Sequence, residues 1–471
     1  MSEALTAKVL IIGGGPGGYV AAIRAGQLGL DTILVETGRL GGTCLIRGCI
    51  PSKALIHAAS QFDAMVRTAA GVADLGIGLA TGPTLDLART VQWKAAVVDK
   101  LNAGVESLLK RAKVKVVAGW ATFSDAKTCQ VETSQGAVII HAEHVILANG
   151  SLPVEIASLP FGGPVISSTE ALELDRLPAR LVVVGAGYIG LELGAAFRKF
   201  GCEVTIVEAM DRVLPLFDAA LAEPIARWLA KAGVTVHLGA KAKTLANKGG
   251  AHAVLVEDKD GKKHRLAADT VLVTVGRRPN TQGWGLETMA VDMAGPFIKI
   301  DDQCRTSMLN VWAIGDLVGE PLLEHKAAAQ GEMVAEIIAG HRRRFDPATI
   351  AAVCFTEPEI VTAGLSPDEA KADGQDAITG VFPFSANGRA HTMDAADDGG
   401  FVRVVARRDD HRILGVQAVG SHVSELSGEF ALALEMGTRL EDIAGTIHVH
   451  PTLSEAFHEA ALRALGHAIH V

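Results

Sequence analysis

Two stretches decide the fold: Val9-Leu10-Ile11-Ile12-Gly13-Gly14-Gly15-Pro16-Gly17-Gly18, and Leu181-Val182-Val183-Val184-Gly185-Ala186-Gly187-Tyr188-Ile189-Gly190. Each is a short apolar run of strand length that breaks into a G-x-G-x-x-G loop. Each continues through a helical stretch, alanine-rich to Gly29 in the first and reaching about Phe200 in the second. A further strand follows, Thr32–Val35 or Val204–Val207, and closes on an acid, Glu36 or Glu208. The interval from the first glycine to the acid is 23 residues in both copies, Gly13 to Glu36 and Gly185 to Glu208. In such loops the first glycine (Gly13, Gly185) permits the tight turn. The second (Gly15, Gly187) lets the backbone approach a pyrophosphate, and the third (Gly18, Gly190) lets helix and strand pack closely. The helix N-terminus then offers N–H groups and partial positive charge to the phosphate. The terminal acid hydrogen-bonds a ribose diol, so Glu36 and Glu208 each predict an adenosine with a free 2′-hydroxyl. A carboxylate at Glu208 repels a 2′-phosphate and favours NAD over NADP, with Arg212 nearby as a counterweight. Tyr188, inside the second loop, reads either as core filler or as a movable cover over a nicotinamide pocket.

Two strand–helix–strand units of equal spacing predict two dinucleotide-binding domains in a 471-residue chain. Val145–Ala148 reads as the strand closing the first, with Asn149-Gly150 as a turn. Val271–Val275 closes the second, ahead of Gly276-Arg277-Arg278-Pro279. The expected division is 1–150 and 151–276 for these domains and 277–348 for a connecting segment carrying Ala313-Ile314-Gly315-Asp316. In 349–471, strands at Phe401–Val405 and Ile413–Val416 alternate with helices around Ser424–Met436 and Ser454–Leu465, a separate α+β domain.

Composition narrows the function. Hydrophobic residues make up 49% and charged residues 21%, a globular balance. Lys plus Arg total 44 against 53 Asp plus Glu, a net charge of −9, which argues against a nucleic-acid partner. Aromatics at 4% argue the same way against base stacking. No window of about 18 apolar residues predicts a membrane span, and Val9–Ile12 is too short for a signal-peptide core. Six cysteines in a chain this long do not form a secreted disulfide framework. Cys129, Cys202, Cys304 and Cys354 are scattered and read as reduced thiols or core filler. The expectation is a cytoplasmic protein.

Cys44 and Cys49 need another explanation. They lie in Gly41-Gly42-Thr43-Cys44-Leu45-Ile46-Arg47-Gly48-Cys49-Ile50-Pro51-Ser52-Lys53, soon after the first loop. A four-residue gap containing Gly48 can bring two Cβ atoms within disulfide reach. Pro51 suits the first turn of a helix. Cys49 then sits at that helix's positive end, where a thiolate is favoured, and Lys53 falls one turn on along the same face. No second ligand pair at finger spacing supports zinc. Taken alone, the pair could also be two small buried hydrophobes. Near the C-terminus, His448-Val449-His450-Pro451-Thr452-Leu453-Ser454-Glu455 offers an imidazole and a carboxylate five residues apart, a base that could act near neutral pH. Two plainer readings stay open: Thr452-x-x-Glu455 as a helix capping box, and both histidines as surface residues.

Taken together, these motifs resemble the class I pyridine nucleotide–disulfide oxidoreductases over essentially the whole length. The resemblance rests on Gly41 to Cys44, Cys49 to Lys53, Gly190-Leu191-Glu192, Ala313 to Asp316 and His450 to Glu455, with Pro383-Phe384-Ser385-Ala386-Asn387-Gly388-Arg389 similar to the family's interface domain. Within the family the chain looks most like the dihydrolipoamide dehydrogenases that serve 2-oxo acid dehydrogenase complexes, and leans toward the branched-chain ones. The resemblance implies an α/β fold with two Rossmann-like domains plus a C-terminal α+β dimerisation domain. It implies FAD at Gly13, Gly15 and Gly18, with Glu36 on the adenosine ribose and Asp316 on the ribityl chain. It also implies NAD at Gly185, Gly187 and Gly190 with Glu208, and Gly276 among the cofactor-binding residues. Lys53 then lies near the flavin, paired with Glu192. Cys44 meets the substrate, Cys49 faces the flavin, and His450 with Glu455 reaches the cysteines across a homodimer. The implied substrate is dihydrolipoamide, presented on the lipoyl domain of an acyltransferase. Two positions depart from the family: Ile46 stands where it usually has Asn, and Asn149 where its turn has Thr.

Overall fold

The structure, a computed structural model, describes residues 3–72 and 75–471. It divides into two compact units, one of 1–155, 167–176 and 275–346, the other of 156–166, 177–274 and 347–471.

In the first unit the sheet runs Lys115–Ala118, Thr32–Glu36, Glu3–Ile12, Gly136–Leu147, Thr128–Thr133, Trp120–Phe123, and Val311–Ala313 also pairs with Gly136–Leu147. Glu3–Ile12 is parallel to both Thr32–Glu36 and Gly136–Leu147. Its Val9–Ile12 end is apolar without alternation because both faces are covered there. Leu10 and Ile12 join Ile33, Val35, Phe123 and Trp284 on one side, while Val9 and Ile11 join Leu34, Ala21, Ala22 and Met333 on the other. The connecting segment belongs to this unit: Val311–Ala313 extends the sheet in parallel, and Arg24 of helix Pro16–Gln27 pairs with Glu336 of helix Glu324–Ile338 at 2.6 Å.

The second unit repeats the first plan. Thr235–His237, Glu203–Val207, Arg180–Val184, Thr270–Val273 and Val165–Ile166 form a parallel sheet. A three-stranded antiparallel meander, Lys241–Lys248, Ala251–Glu257 and Lys263–Ala268, accompanies it. The rest of the unit is an antiparallel sheet ordered Ala352–Cys354, Glu359–Gly364, Ile413–Gly420, Phe401–Arg407, Ala377–Pro383. Helix Glu455–Ala464 lies so close to that sheet that a methyl on Gly380 would collide with the carbonyl of Ala460. The helix expected over Ser424–Met436 is shorter: a 3-10 turn, Val423–Leu426, precedes an α-helix, Ser427–Glu435. The α/β architecture is the expected one: a sheet with a parallel core and an antiparallel edge in the first unit, and a parallel sheet plus an α+β portion in the second. Among the described residues, no helix is long and apolar enough to cross a membrane.

Candidate active site

The glycines of the two loops divide by what requires them. Gly13 and Gly185 take φ of 98° and 101°, left-handed conformations that favour glycine. Gly18 and Gly190 are required by packing, since a methyl on either would strike the carbonyl of Gly13 or of Gly185. Gly15 and Gly187 have ordinary φ of −70° and −73°. A Cβ on Gly15 would meet only the Cα of Gly42 at 3.7 Å, and one on Gly187 nothing within 4 Å. Neither backbone nor packing demands glycine there; a bound phosphate, which a side chain would obstruct, would. The middle glycines therefore fit the dinucleotides expected at both loops.

The two acids repeat each other. Glu36 accepts the N–H of Gly14 at 2.7 Å on one oxygen and that of Gly38 at 2.8 Å on the other. Glu208 accepts Ala186 at 2.6 Å and Met210 at 2.8 Å in the same way. Two main-chain donors fix each carboxylate at the rim of its loop, and a carboxylate has lone pairs left for two further donors.

The cysteines are built against the first loop. The N–H of Gly41 donates to Gly14 at 2.8 Å. Gly42, at φ 59°, sits so close that its Cβ would lie 2.5 Å from the Cα of Gly15. Helix Gly42–Arg47 starts there, and Gly48 leads into helix Cys49–Ala69. Cys44 and Cys49 are joined as a disulfide, with Cα atoms 4.6 Å apart. Cys49 is the first residue of its helix and is exposed, while Cys44 is half-buried. A thiolate released at Cys49 would face the free N–H groups of the first turn. Ile46 packs on the same apolar cluster as Leu45 and Ile50, so at this departure apolar contact replaces amide hydrogen bonding beneath the cysteine loop. At the other departure, Asn149 keeps a buried Oδ1 without a hydrogen-bond partner. The other four cysteines are buried and outside any disulfide. Burial pushes Cys129, Cys202 and Cys304 up to about 12, which keeps them protonated.

Asp316 lies in the 3-10 turn Gly315–Leu317 of the same unit. The Ser151 hydroxyl donates to its Oδ2. Arg277 donates to the Ser151 hydroxyl at 2.8 Å and to the Ser151 carbonyl at 2.7 Å. A guanidinium only donates, so the single proton of Ser151 must point to Asp316 and the carboxylate is held in one orientation. Sequence reasoning missed Ser151 and Arg277. The run Gly276-Arg277-Arg278-Pro279 was the available signal: Gly276 takes φ of 130°, and Arg277–Pro279 pairs with Ser151–Pro153. Lys326 is buried nearby, and burial holds its pKa below the usual lysine range against the opposing charges of Asp316 and Glu320.

In the second unit, Glu192 is buried on helix Tyr188–Lys199 and accepts the N–H of Phe355 at 2.9 Å. Tyr188 opens that helix with 38% of its surface exposed, which removes the core-filler reading. Lys53 belongs to the first unit and Glu192 to the second.

His450 and Glu455 come together. The Nδ1 of His450 is 2.9 Å from one Glu455 oxygen, and the N–H of Thr452 donates to the other at 2.7 Å. Burial raises the pKa of Glu455, but the Thr452 N–H, the bond to His450 and the charges of His450 and His448 outweigh it and hold the carboxyl below its ordinary range. The His450 side chain is 77% exposed and accessible. His448 is the opposite, 6% exposed, with Nε2 2.9 Å from Glu429 and Nδ1 3.0 Å from the carbonyl of Thr446. It is an anchor, not a surface residue. The capping box is only half made. The Thr452 N–H is held by Glu455, but Ser454, not Thr452, is the N-cap of the last helix, and the Thr452 hydroxyl donates to the carbonyl of Val449 at 2.7 Å.

Residues 7–331 match the pyridine nucleotide-disulphide oxidoreductase family, and 350–461 match that family's dimerisation domain. The chain belongs to the pyridine nucleotide-disulphide oxidoreductase family. Among curated members, it is 59% identical to the dihydrolipoyl dehydrogenase of Pseudomonas aeruginosa over 100% of both chains. It is 45% identical to that of Geobacillus stearothermophilus over 99% of this chain and 98% of the other. Among solved structures, LpdA from Mycobacterium tuberculosis superposes with a TM-score of 0.87 at 28% identity, covering 98% of this chain and 99% of that one.

Proposed function

We propose that this member of the family oxidises dihydrolipoamide to lipoamide and passes the two electrons to NAD+. The observation that carries the reading is the Cys44–Cys49 disulfide at the start of helix Cys49–Ala69, in a segment that begins with Gly42 packed against Gly15 of the first loop. Full-length identity to dihydrolipoyl dehydrogenases supports the substrate. On this reading Gly13, Gly15 and Gly18 hold FAD with Glu36 and Asp316, while Gly185, Gly187, Gly190 and Gly276 serve NAD with Glu208. Bound there, FAD supplies a two-electron carrier between the cysteine pair and the nicotinamide. Residues 1–150 are assigned to the flavin, 151–276 to NAD, 277–348 to completing the flavin site and 349–471 to dimerisation.

His450, oriented by Glu455, takes the proton from one thiol of dihydrolipoamide. The resulting thiolate attacks the sulfur of Cys44. The Cys44–Cys49 bond breaks and Cys49 leaves as a thiolate at its helix N-terminus, with Lys53 one turn away. The second substrate thiol attacks the substrate sulfur of the mixed disulfide and passes its proton to the departing Cys44 sulfur, which closes lipoamide and frees Cys44 as a thiol. Two electrons and two protons have then left the substrate, and the electrons reside on the cysteine pair. The family's Lys53–Glu192 pair is carried over on the sequence match. The dimerisation-domain match supports a homodimer, in which His450 of one copy serves the cysteines of another. The partner would be the lipoyl domain of an acyltransferase in a cytoplasmic 2-oxo acid dehydrogenase complex.

The test is NADH formation by the purified protein given NAD+ and dihydrolipoamide, with NADP+ in parallel. Turnover with NAD+ and little with NADP+ is expected. Preference for NADP+ would overturn the reading of Glu208 and favour a glutathione-type disulfide reductase. A flavin-loaded protein inactive with both would instead be a non-catalytic redox sensor.

A further inference from the structure

The run Pro383 to Arg389 plays no part in the chemistry above, yet it reaches the base. Phe384–Ala386 is a 3-10 turn and Gly388–Thr392 a short helix, with Asn387 between them, 3% exposed. Both ends of its amide are used. Its Oδ1 accepts the N–H of Ala390 at 2.9 Å, and its Nδ2 donates to the carbonyl of Thr452 at 3.1 Å. The amide cannot be turned the other way, because Ala390 offers only a donor and the Thr452 carbonyl only an acceptor. The N–H of Thr452 goes to Glu455, and Glu455 holds His450. Thr452 is thus gripped at its carbonyl by Asn387 and at its N–H by the carboxylate that orients the imidazole. Gly388 lies along the same ring: a Cβ there would come 3.9 Å from the Cε1 of His450.

We propose that Asn387 is a positioning residue for the His450–Glu455 pair, acting through the main chain of Thr452. The inference rests on the reading of His450 as the base. His448, bound to Glu429, anchors the segment upstream of His450, and Asn387 anchors it downstream. Its two bonds separate two roles. The bond to Ala390 caps a helix, a task that aspartate performs equally well. The bond to Thr452 needs an N–H donor, which aspartate lacks; its second oxygen would face the carbonyl and repel it.

The experiment is Asn387→Asp in the flavin-loaded full chain, alone and with His450→Gln. Each variant is assayed for dihydrolipoamide oxidation and for NADH-driven reduction of ferricyanide, which requires no imidazole. Asn387→Asp should lower dithiol turnover about 10- to 100-fold, leave ferricyanide reduction unchanged, and add nothing to the loss already caused by His450→Gln. Full dithiol turnover in Asn387→Asp, equal loss of both activities, or losses that multiply in the double variant would each overturn the positioning role and leave the base reading intact. An unimpaired His450→Gln would overturn the base reading itself, and this inference with it. Should the aspartate variant fail to fold, Asn387→Ser retains a capping oxygen without reaching Thr452, and the same outcomes apply.

Discussion

The corresponding carbonyl of each glycine loop, Gly14 in one and Ala186 in the other, is closed by an N–H from the chain returning after the acid. Gly41 donates at 2.8 Å and Leu214 at 2.9 Å. Beyond that closure the two loops diverge. After Gly41 the chain presses Gly42 onto Gly15 and enters the cysteine helices. After Leu214 it runs through Pro215 to Leu216, which is 97% exposed, and nothing comes within 4 Å of the position a Cβ would take on Gly187. One nucleotide-binding unit, used twice, has become two sites because only the first carries a disulfide at its mouth. On the proposed reading the first exchanges electrons with sulfur, and the second admits and releases a soluble nucleotide.

The sharpest way to break this contrast is to remove what only the first loop carries. Cys44→Ser leaves the loop, Glu36 and the start of helix Cys49–Ala69 in place. Dithiol turnover should fall by about 10³-fold or more, with bound flavin and NADH-driven ferricyanide reduction retained. Flavin content by absorbance and the two assays side by side check this; appreciable dithiol turnover in the variant would refute the assignment of Cys44.

A second, smaller effect should separate the loops from each other. A Cβ at position 187 has nothing within 4 Å, so Gly187→Val should fold and keep its flavin while the KM for NAD+ rises about 100-fold. Gly15→Val should do the reverse, with flavin lost during purification. If both variants lost flavin, or neither changed NAD+ affinity, the division of cofactors between the loops would be wrong.

The parts of this contrast that are local could be read from the residues. Strand runs, glycine spacing and terminal acids all lie within the continuous segments Val9–Glu36 and Leu181–Glu208, and the N-terminal position of Cys49 follows from Pro51. The parts that join distant segments could not. Arg277 reaches Ser151 across 126 positions and Asn387 reaches Thr452 across 65, and neither pairing leaves a periodicity or composition to detect. Thr452 misled for the same reason. Its spacing to Glu455 is that of a cap, and only the folded path of the segment starts the helix two residues later, with Ser454 at the N-cap. Ile46, a departure when judged against a motif, is an ordinary apolar contact once the cluster beneath it is known.

Glu455 extends the comparison to a third carboxylate. Glu36 and Glu208 each give both oxygens to main-chain N–H groups, whereas Glu455 gives one to Thr452 and the other to an imidazole. On the proposed reading the first two serve recognition, and the third orients a base. Because the folded protein holds the Glu455 carboxyl below its ordinary range, its ionised form contributes stability that is fully present above the unfolded value of about 4.3. That contribution is lost as pH falls through the folded value. Glu455→Gln abolishes the titration but keeps a carbonyl oxygen for Thr452, so it should cost about 1 kcal/mol near neutral pH. The difference should close as the solution is acidified below the carboxylate range. Denaturant midpoints of both proteins measured from neutral to acid pH read this directly. A gap that stayed constant into acid would mean that Glu455 supports the fold through packing alone, and that its link to His450 contributes nothing in the resting protein.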